Sequence, residues 1–434
     1  MSERSSPGSS APATHAYRGN VRKYQLFYFL FDFQLWMPIW IVYLLEEQGF
    51  SFSKITLIGV PFWIIVAFGQ VPAGAVADRW GRVWSLRAGA LMYAAAMVAF
   101  GLAESFSLIM VSWVLWAISF TLVTGADSAL LHDSLKADGR EHDFEKMAGR
   151  TFAVRSVALV AATLIGAPIA SATDIRVPIF LGPAASGAAL LVAFTLREPP
   201  RWEHAQRLSY RRTFSMALAT VRERPAVMYV LPFMAVLLAG TMTSEYLLQP
   251  FLLSHDVGVG LGFSALQVPV RVAAVLGAMG AFWWVLRVGE ARALVSLPIL
   301  AIVGYVGLAA INSLGAVGFF MFVGFVRAGA LPLVEGYINR RVPSDQRATV
   351  LSLNHMGFAL LVVPMLPLIG FTADEVSLNT TFAVAAAALA VMATLTGGLW
   401  LRAHQRAGPI DHEGVAGGAV VADAGSTASS AQVD

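Results

Sequence analysis

The chain has no cysteine, and it has few charged residues for its length. Without a thiol, neither a disulfide nor a cysteine-ligated metal site can form. Charged residues make up 13% of the 434 residues, whereas a soluble globular domain carries roughly 25%. A chain with so little charge cannot cover its surface with polar groups, and we therefore expect its outer surface to face lipid.

Signatures of ATP-driven proteins and of common hydrolases are also missing. The sequence has no Gly-rich loop ending in Lys-Ser or Lys-Thr, no His-Glu-x-x-His pair and no Gly-x-Ser-x-Gly turn, and its eight histidines are scattered. We therefore expect no catalytic residues, no metal and no cofactor. The energy source that remains is an ion gradient, for which a proton is the simplest candidate.

Long apolar runs are what the sequence does contain. Hydrophobic residues make up 57% of the chain and the mean hydropathy is +0.66. Twelve runs reach the roughly 20 residues that span a bilayer as a helix, and they do not alternate as barrel strands would. The sequence therefore predicts an all-α membrane protein with twelve transmembrane helices. The predicted segments are Tyr24–Leu45, Ile55–Ala77, Ser85–Ala103, Phe106–Leu130, Thr151–Ser171, Pro178–Leu196, Ala226–Leu253, Phe263–Leu286, Ala293–Ile311, Gly315–Ile338, Ala348–Phe371 and Thr381–Leu401.

The distribution of lysine and arginine predicts the orientation. With twelve helices and the N-terminus inside, 25 of the 30 basic residues fall in cytoplasmic pieces, whereas only Lys54 and Arg176 fall outside. Positive loops stay on the cytoplasmic side. We therefore expect a multi-pass protein of the cell (inner) membrane with both termini in the cytoplasm.

The chain divides into two similar halves. We expect a cytoplasmic tail at 1–23, a six-helix bundle at 24–196, a basic cytoplasmic linker at 197–225, a second six-helix bundle at 226–403 and a disordered cytoplasmic tail at 404–434. Met37-Pro38 and Val60-Pro61 in the first half are echoed by Gln249-Pro250 and Val268-Pro269 in the second. The linker also has a weak apolar stripe, so it is either a plain connection or in part a helix on the membrane surface.

A short motif joins the second and third predicted helices. Gly74, Asp78, Arg79, Gly81 and Arg82 stand in the stretch GAVADRWGR. In this position it resembles the loop signature of the major facilitator superfamily, Gly-x-x-x-Asp-Arg-x-Gly-Arg. The resemblance extends over nearly the whole chain, and it implies the two-bundle fold, a secondary transporter, and a latch between the halves on the cytoplasmic side.

The resemblance is incomplete in two places. Drug exporters of the superfamily often have an arginine within helix 4, which this chain lacks. They also often have a Gly-Pro-rich motif in helix 5, of which only Gly166-Ala167-Pro168 is present here. The resemblance therefore supports the fold more strongly than it supports antiport.

Ionisable residues inside the predicted helices are the candidate site, because charge within lipid is costly unless paired or hydrated. Asp32 has Tyr28, Trp36 and Trp40 at spacings of four, on one face of a helix. Such a face suits a cationic or aromatic substrate. The alternative is that the two tryptophans are packing or interfacial residues.

Glu245 is the second acid, at a position in the second half that matches Asp32 in the first. We predict that Asp32 and Glu245 face one central cavity as substrate or proton-coupling groups, with Arg327 or Arg271 as the partner of one of them. Arg155 lies near a helix end and can reach the interface. Structural ion pairs are the alternative for this set, and a packed core histidine is the alternative to a proton-carrying His355.

Two classes of function fit these observations. The first is a proton-coupled secondary transporter that exports a drug-like molecule or metabolite, or imports one. The second is a membrane receptor or scaffold that keeps the fold without transport. The expected partners are a small-molecule substrate, protons and the lipid bilayer, with no nucleic acid, and we expect the chain to act as a monomer.

Overall fold

The computed structural model describes residues 17–200, 210–343 and 346–407, and these ranges are helical with short connections and no strand. The α-helices are α1 (Arg18–Phe31), α2 (Trp40–Val42), α3 (Phe52–Trp80), α4 (Arg82–Gly101), α5 (Phe106–Thr124), α6 (Asp127–Ala137), α7 (Phe144–Ala172), α8 (Val177–Thr195), α9 (Tyr210–Glu223), α10 (Pro225–Leu253), α11 (Leu261–Val288), α12 (Glu290–Ala310), α13 (Val317–Asn339), α14 (Arg347–Glu375) and α15 (Leu378–Ala407).

The all-α membrane fold predicted from the sequence is confirmed. Within the described ranges, eleven helical stretches are long and apolar enough to cross a membrane. The remaining predicted crossing is the first one, which is interrupted. It consists of α1, a non-helical stretch, and then α2 continued by a π-helical turn at Tyr43–Glu47.

The prediction of one continuous helix over Tyr24–Leu45 is wrong, and Pro38 is a physical reason. Proline has no N–H to donate, its ring collides with the carbonyl four residues earlier, and it disfavours helical geometry in the residue before it. Residues 32–39 accordingly leave the helix. Asp32 lies directly after the last residue of α1.

Several predicted boundaries also shift. The first helix begins at Arg18, within the predicted tail 1–23, and α15 continues to Ala407, so 404–407 are helical. The rest of both tails lies outside the described residues. The predicted segment Phe106–Leu130 is divided into α5 and α6 after Thr124. In the predicted linker, α9 forms from Tyr210 to Glu223, and 201–209 lie outside the described residues.

The outer surface is apolar, as the composition requires. Large hydrophobic side chains such as Phe282, Leu191 and Phe68 are more than half exposed, with 70%, 69% and 59% of their surfaces accessible. Exposed apolar surface of this extent marks a membrane-facing protein.

The two halves, α1–α8 and α10–α15, meet along two helix pairs. Helix α3 packs on α14 and α7 packs on α11. Close approach depends on small residues, as is common between membrane helices. A Cβ at Gly370 would lie 2.1 Å from Thr56 Oγ1 and 2.6 Å from the Cα of Ser53. Glycine at 370 therefore allows α14 to pack against the start of α3.

The hydrogen bonds between described residues of the two halves lie on one side of the molecule. The side that carries the basic loops and both ends of the described chain is called the basic side. The side that carries these hydrogen bonds is called the opposite side. The carboxylate of Asp374 accepts from Phe52 N at 3.0 Å and from Ser53 N at 2.7 Å. Ser264 donates to the carbonyl of Thr163 at 2.6 Å. The halves are therefore joined on the opposite side.

Candidate functional site

A cavity of about 260 Å³ lies between the two halves. Both halves contribute to its walls, through the segment around α2 and helices α3 and α5 on one side and α10, α11 and α13 on the other. The lining residues are Met37, Trp40, Phe62, Trp63, Trp113, Trp116, Phe120, Met242, Ser244, Glu245, Tyr246, Leu248, Gln249, Gln267, Val270, Arg271 and Arg327. A mid-membrane cavity between repeats is the usual position of a transporter site.

The second half supplies the charges of this cavity. Arg271 Nη1 lies 3.1 Å from one oxygen of Glu245 and 3.4 Å from the other. Arg327 Nε lies 3.7 Å from Glu245 Oε1. The three side chains come from three different helices, α10, α11 and α13. One carboxylate therefore stands between two guanidinium groups.

The first half supplies aromatic rings. The Phe62 ring lies 4.7 Å from that of Trp116, and Trp63 meets Phe358 of the second half at 5.0 Å. Trp40 packs edge-on against Tyr246 of the second half at 5.6 Å. Such rings offer flat apolar faces with fixed positions. The cavity therefore has one charged wall and one aromatic wall.

A second ionic cluster lies within the first half and does not line the cavity. Arg155 Nε donates to Asp32 Oδ2 at 2.5 Å, and Arg155 Nη1 lies 3.4 Å from Asp127 Oδ2. The hydroxyl of Tyr24 donates to the same Asp127 carboxylate. The guanidinium of Arg155 also lies 4.6 Å from the centre of the Tyr28 ring. Two carboxylates thus share one arginine.

The predicted face around Asp32 is not present. The break in the first segment separates Asp32 from Trp36 and Trp40, so they do not share a helical face. Trp36 is fully buried and donates to the Tyr93 hydroxyl at 2.7 Å. It does not line the cavity itself, but it packs edge-on against Trp113 and Trp116, which do. Trp40, which we considered a packing or interfacial residue, lines the cavity. Tyr28 packs on Arg155, with its ring fully buried.

The two predicted acids therefore lie in different clusters. Glu245 lines the cavity with Arg271 and Arg327, whereas Asp32 is paired with Arg155 and is absent from the lining. Arg155, which we expected to reach the interface, is instead bound to two acids. His355 is partly buried on α14 and does not belong to the lining.

The signature loop contacts its own half in this structure. Arg82 binds Asp133 of α6, and Arg82 N and Val83 N donate to the carboxylate of Glu198 at 2.7 and 2.8 Å. Gly81 has a φ of +112°, which favours glycine and allows α3 to turn directly into α4.

The expected latch between the halves is not formed at the start of this loop. Asp78 is exposed and has no hydrogen bond or ion pair to another described residue, and a Cβ at Gly74 would meet no atom within 4 Å. Arg79 is exposed on the same helix end. At Asp78 and Gly74, the described residues therefore do not form the close contact between the halves that the motif predicts.

Two glutamines that the sequence analysis did not single out hold the break in the first segment. Gln249 Nε2 donates to the carbonyl of Met37 at 3.0 Å, and its Oε1 accepts from Ile41 N at 3.1 Å. Gln267 Nε2 donates to the carbonyl of Pro38 at 3.1 Å. Both glutamines come from the second half. In the sequence, these glutamines could have been singled out because they lie one and two residues before the repeated prolines Pro250 and Pro269.

Comparisons with known proteins agree with this fold. A sequence model described as Major Facilitator Superfamily matches residues 25–323. An uncharacterised transporter of the same type from Bacillus subtilis (strain 168), YxaM, is 28% identical over 92 residues, which are 21% of this chain and 23% of that protein. The match thus spans about a quarter of that relative's length.

Solved structures of transporters have the same architecture. A mutant of the nucleoside transporter NupG superposes with a TM-score of 0.75 at 15% identity, covering 87% of this chain and 99% of that one. A bacterial homologue of the human lysosomal transporter Spinster, inward-facing and unoccupied, superposes with a TM-score of 0.69 at 16% identity, covering 91% and 99%. These likenesses establish the fold.

Two bundles of helices with a cavity between them define the class of multi-pass membrane transporters. Within that class, the chain belongs to the Major Facilitator Superfamily, because the family's sequence model matches well over half of it. The family predicted from the loop motif is therefore confirmed.

Proposed function

We propose that the chain is a proton-coupled secondary transporter of a small molecule, with the central cavity as its substrate site. One observation supports this most directly. The cavity lies between halves that are hydrogen-bonded on the opposite side, whereas on the basic side Asp78 has no hydrogen bond or ion pair to another described residue and a Cβ at Gly74 would meet no atom within 4 Å. A site whose access alternates between sides requires this asymmetry, because each state must close only one side.

The cluster around Arg155 supports the coupling to protons. One arginine charge balances one of the two carboxylates, Asp32 and Asp127, and leaves the other uncompensated. Carboxylates that share a site favour binding of a proton by one of them. Asp32 lies at the end of α1, directly before the break, so a change in its charge acts on the segment that carries Trp40 to the cavity.

A flux measurement in vesicles tests this proposal. The purified full chain is reconstituted into liposomes, a pH gradient is imposed, and a set of small organic ions and neutral molecules is screened for accumulation. We expect accumulation of at least one compound to follow the sign of the gradient and to stop when an ionophore collapses it. Accumulation toward the acidic interior indicates exchange with protons, whereas accumulation with the proton flow indicates symport. Flux that does not respond to the gradient contradicts proton coupling.

We further propose that both termini and the connection between the halves lie in the cytoplasm, with the protein in the cell (inner) membrane. The basic loops support this orientation. Reporter fusions after Arg212 and Arg406 should be active only with a cytoplasmic reporter. Fusions after Asp174 and Ile311, between helices on the opposite side, should be active only with a periplasmic one. A periplasmic signal at Arg406 would contradict the orientation.

A further inference from the structure

We propose that the cavity binds an organic anion with an aromatic or flat apolar body, and that Arg327 is the main partner of its anionic group. The inference rests on the proposed function in one respect, that the cavity between the halves is the substrate site. It differs from the expectation of a cationic substrate, which depended on Asp32 lining the cavity.

The charge of the cavity is the first argument. Its described lining residues include one acid, Glu245, and two arginines, Arg271 and Arg327. Arginine keeps its charge in proteins. The lining therefore carries an excess of one positive charge when Glu245 is ionised. Uncompensated charge at membrane depth is costly, and a bound anion removes that cost.

The distances single out Arg327. Glu245 lies within hydrogen-bond distance of Arg271, at 3.1 Å, but its nearest approach to Arg327 is 3.7 Å. Apart from Glu245, the described partner of Arg327 is the thioether sulfur of Met242, which is a weak acceptor. Arg327 therefore keeps N–H groups in the fork geometry that binds a carboxylate or phosphate through two hydrogen bonds.

The aromatic wall of the cavity indicates the apolar part of the ligand. The first half contributes Met37 and aromatic rings to the lining, and no ionisable carboxylate or amine. Trp40, Trp63 and Trp116 add flat apolar surface to the same cavity as the two arginines. A ligand with an anionic group at one end and a ring at the other can satisfy both walls at once, with its charge on the second half and its ring on the first.

The size of the cavity limits the ligand. At about 260 Å³, it is smaller than the roughly 300–1,000 Å³ of pockets that hold drug-sized molecules. Single-ring anions are therefore the best probes, and a matched series isolates the effect of charge. Phenylacetate, phenethyl alcohol and phenethylamine share a ring and a short chain, and they differ in carrying a negative charge, no charge and a positive charge.

Binding to the purified full chain in detergent, measured by calorimetry, tests the inference. We expect phenylacetate to bind more tightly than the alcohol, and the amine to bind most weakly. Arg327→Gln should lower the affinity for phenylacetate by roughly tenfold to a hundredfold, because it removes charged hydrogen bonds, while Arg327→Lys should retain part of it. Glu245→Gln should raise the affinity, since it removes the carboxylate that competes for the same arginines.

Two features keep the result interpretable. Arg287→Gln is the matched control, because Arg287 is on α11 like Arg271 but stacks on Trp283 at the basic end of that helix. The Arg287→Gln variant should bind phenylacetate with the same affinity as the unaltered chain. If Arg327→Gln does not fold, Arg327→Lys and Glu245→Gln still change the affinity in opposite directions.

Three results would overturn the inference. They are tighter binding of phenethylamine than of phenylacetate, loss of phenylacetate binding in Glu245→Gln with no change in Arg327→Gln, and no binding by any of a series of aromatic carboxylates and phosphonates. Because binding in detergent needs no membrane gradient, it is independent of the flux experiment. Anion binding without any flux would contradict transport alone, and flux of a cation would contradict the anion site alone.

Discussion

A single proton is the smallest charge that balances the cluster around Arg155. Asp32 and Asp127 contribute two negative charges, and Arg155 contributes one positive charge. The cluster around Glu245 has the inverse composition, with one acid and two arginines. The two halves thus carry opposite excess charge at the residue scale. We infer that the first half binds the proton and the second half binds the anionic group of the substrate.

Replacing Asp32 by asparagine should therefore separate coupling from substrate binding. The change leaves one carboxylate for one arginine, so that no proton is needed for balance. We expect Asp32→Asn to abolish accumulation driven by a pH gradient, while exchange of labelled for unlabelled substrate continues. The measurement is paired accumulation and exchange in liposomes.

Glu104→Gln provides the control, since Glu104 is an exposed acid on the opposite side, and it should leave both rates unchanged. If Asp32→Asn accumulates substrate with the same pH dependence as the unaltered chain, then Asp32 is not the coupling group. His355 would then be the next residue to replace.

The sequence identified the costly charges and predicted Arg271 or Arg327 as the partner of one acid, but it did not identify the partner of Asp32. Asp32, Glu245, Arg271 and Arg327 stand out because charge inside an apolar run is rare. Arg155 lies near a helix end in the sequence, where a long side chain can reach the interface. Only the packing of α7 against α1 brings it to Asp32. Pairing between distant segments depends on tertiary structure, which spacing along the chain does not encode.

At the scale of elements, the broken first segment is fastened to the second half. Its free backbone groups cannot bond to water inside a membrane, and each would be costly if left unpaired. Gln249 and Gln267 satisfy the carbonyls of Met37 and Pro38. The break thus becomes a contact between the halves on the opposite side.

Replacing Gln249 by leucine should weaken closure on the opposite side. The change leaves the Met37 carbonyl and the Ile41 N–H without their described partner, at a cost of about 1–3 kcal/mol per buried group. The fraction of molecules open on that side should rise by roughly tenfold. The measurement is labelling of a cavity cysteine, Ser244→Cys, by a membrane-impermeant thiol reagent added from that side.

Because the chain has no other cysteine, the label reports on that position alone. Gln70→Leu is the matched control, since Gln70 bonds with Thr124 inside the first half, and it should leave the labelling rate unchanged. Equal labelling in Gln249→Leu and the unaltered chain would show that these bonds do not hold the opposite side closed.

Element boundaries could be predicted from hydropathy except where the backbone changes direction within the membrane. Eleven helical stretches can cross a membrane as expected, one of them divided into α5 and α6, and Pro38 was visible in the sequence. Most other prolines here stay inside intact helices, such as Pro61 in α3 and Pro298 in α12. What distinguishes Pro38 is that two glutamines from distant helices donate hydrogen bonds to the backbone carbonyls at the break. Proline alone therefore does not predict a break.

At the scale of the whole molecule, the signature loop indicates a second state. Asp78 and Gly74 have the residue types of a packed, charged contact, yet Asp78 is exposed here and a Cβ at Gly74 would meet no atom within 4 Å. A transporter must populate at least two states with different contacts. We infer that the loop meets the second half when the basic side closes and the opposite side opens.

Replacing Asp78 by asparagine should therefore slow cycling without unfolding the protein. In the present structure the carboxylate makes no described contact, so its loss has little cost in this state. We expect melting temperature and expression to stay unchanged, while the transport rate falls by roughly fivefold or more, the size of a typical coupling between sites. Asp256→Asn, in an exposed loop on the opposite side, is the control. Normal transport by Asp78→Asn would contradict the latch.

The fold of the whole molecule was the most predictable level. Twelve apolar runs and a loop motif indicated the two-bundle architecture and the family. Segments in lipid must be helical, and the basic loops show on which side of the membrane each helix begins and ends. The cavity could not be predicted in the same way. Its aromatic wall comes from α3 and α5 and its charges come from α10, α11 and α13, and no local pattern connects these segments.

The connection between the halves has a consequence for how the chain can be cut. Asn20 donates to the carbonyl of Arg197 at 2.7 Å, which holds the start of the connection on the first half. Thr220 donates to Gln346, which holds the end of the connection on the second half. The stretch from residue 200 to residue 210 reaches about 35 Å when extended, which exceeds the spacing of packed helices. We therefore expect covalent continuity to be dispensable, so that two co-expressed fragments, 1–200 and 210–434, assemble and co-purify through a tag on either one. Each fragment produced alone should be degraded, and failure of the pair to associate would show that the peptide link itself is required.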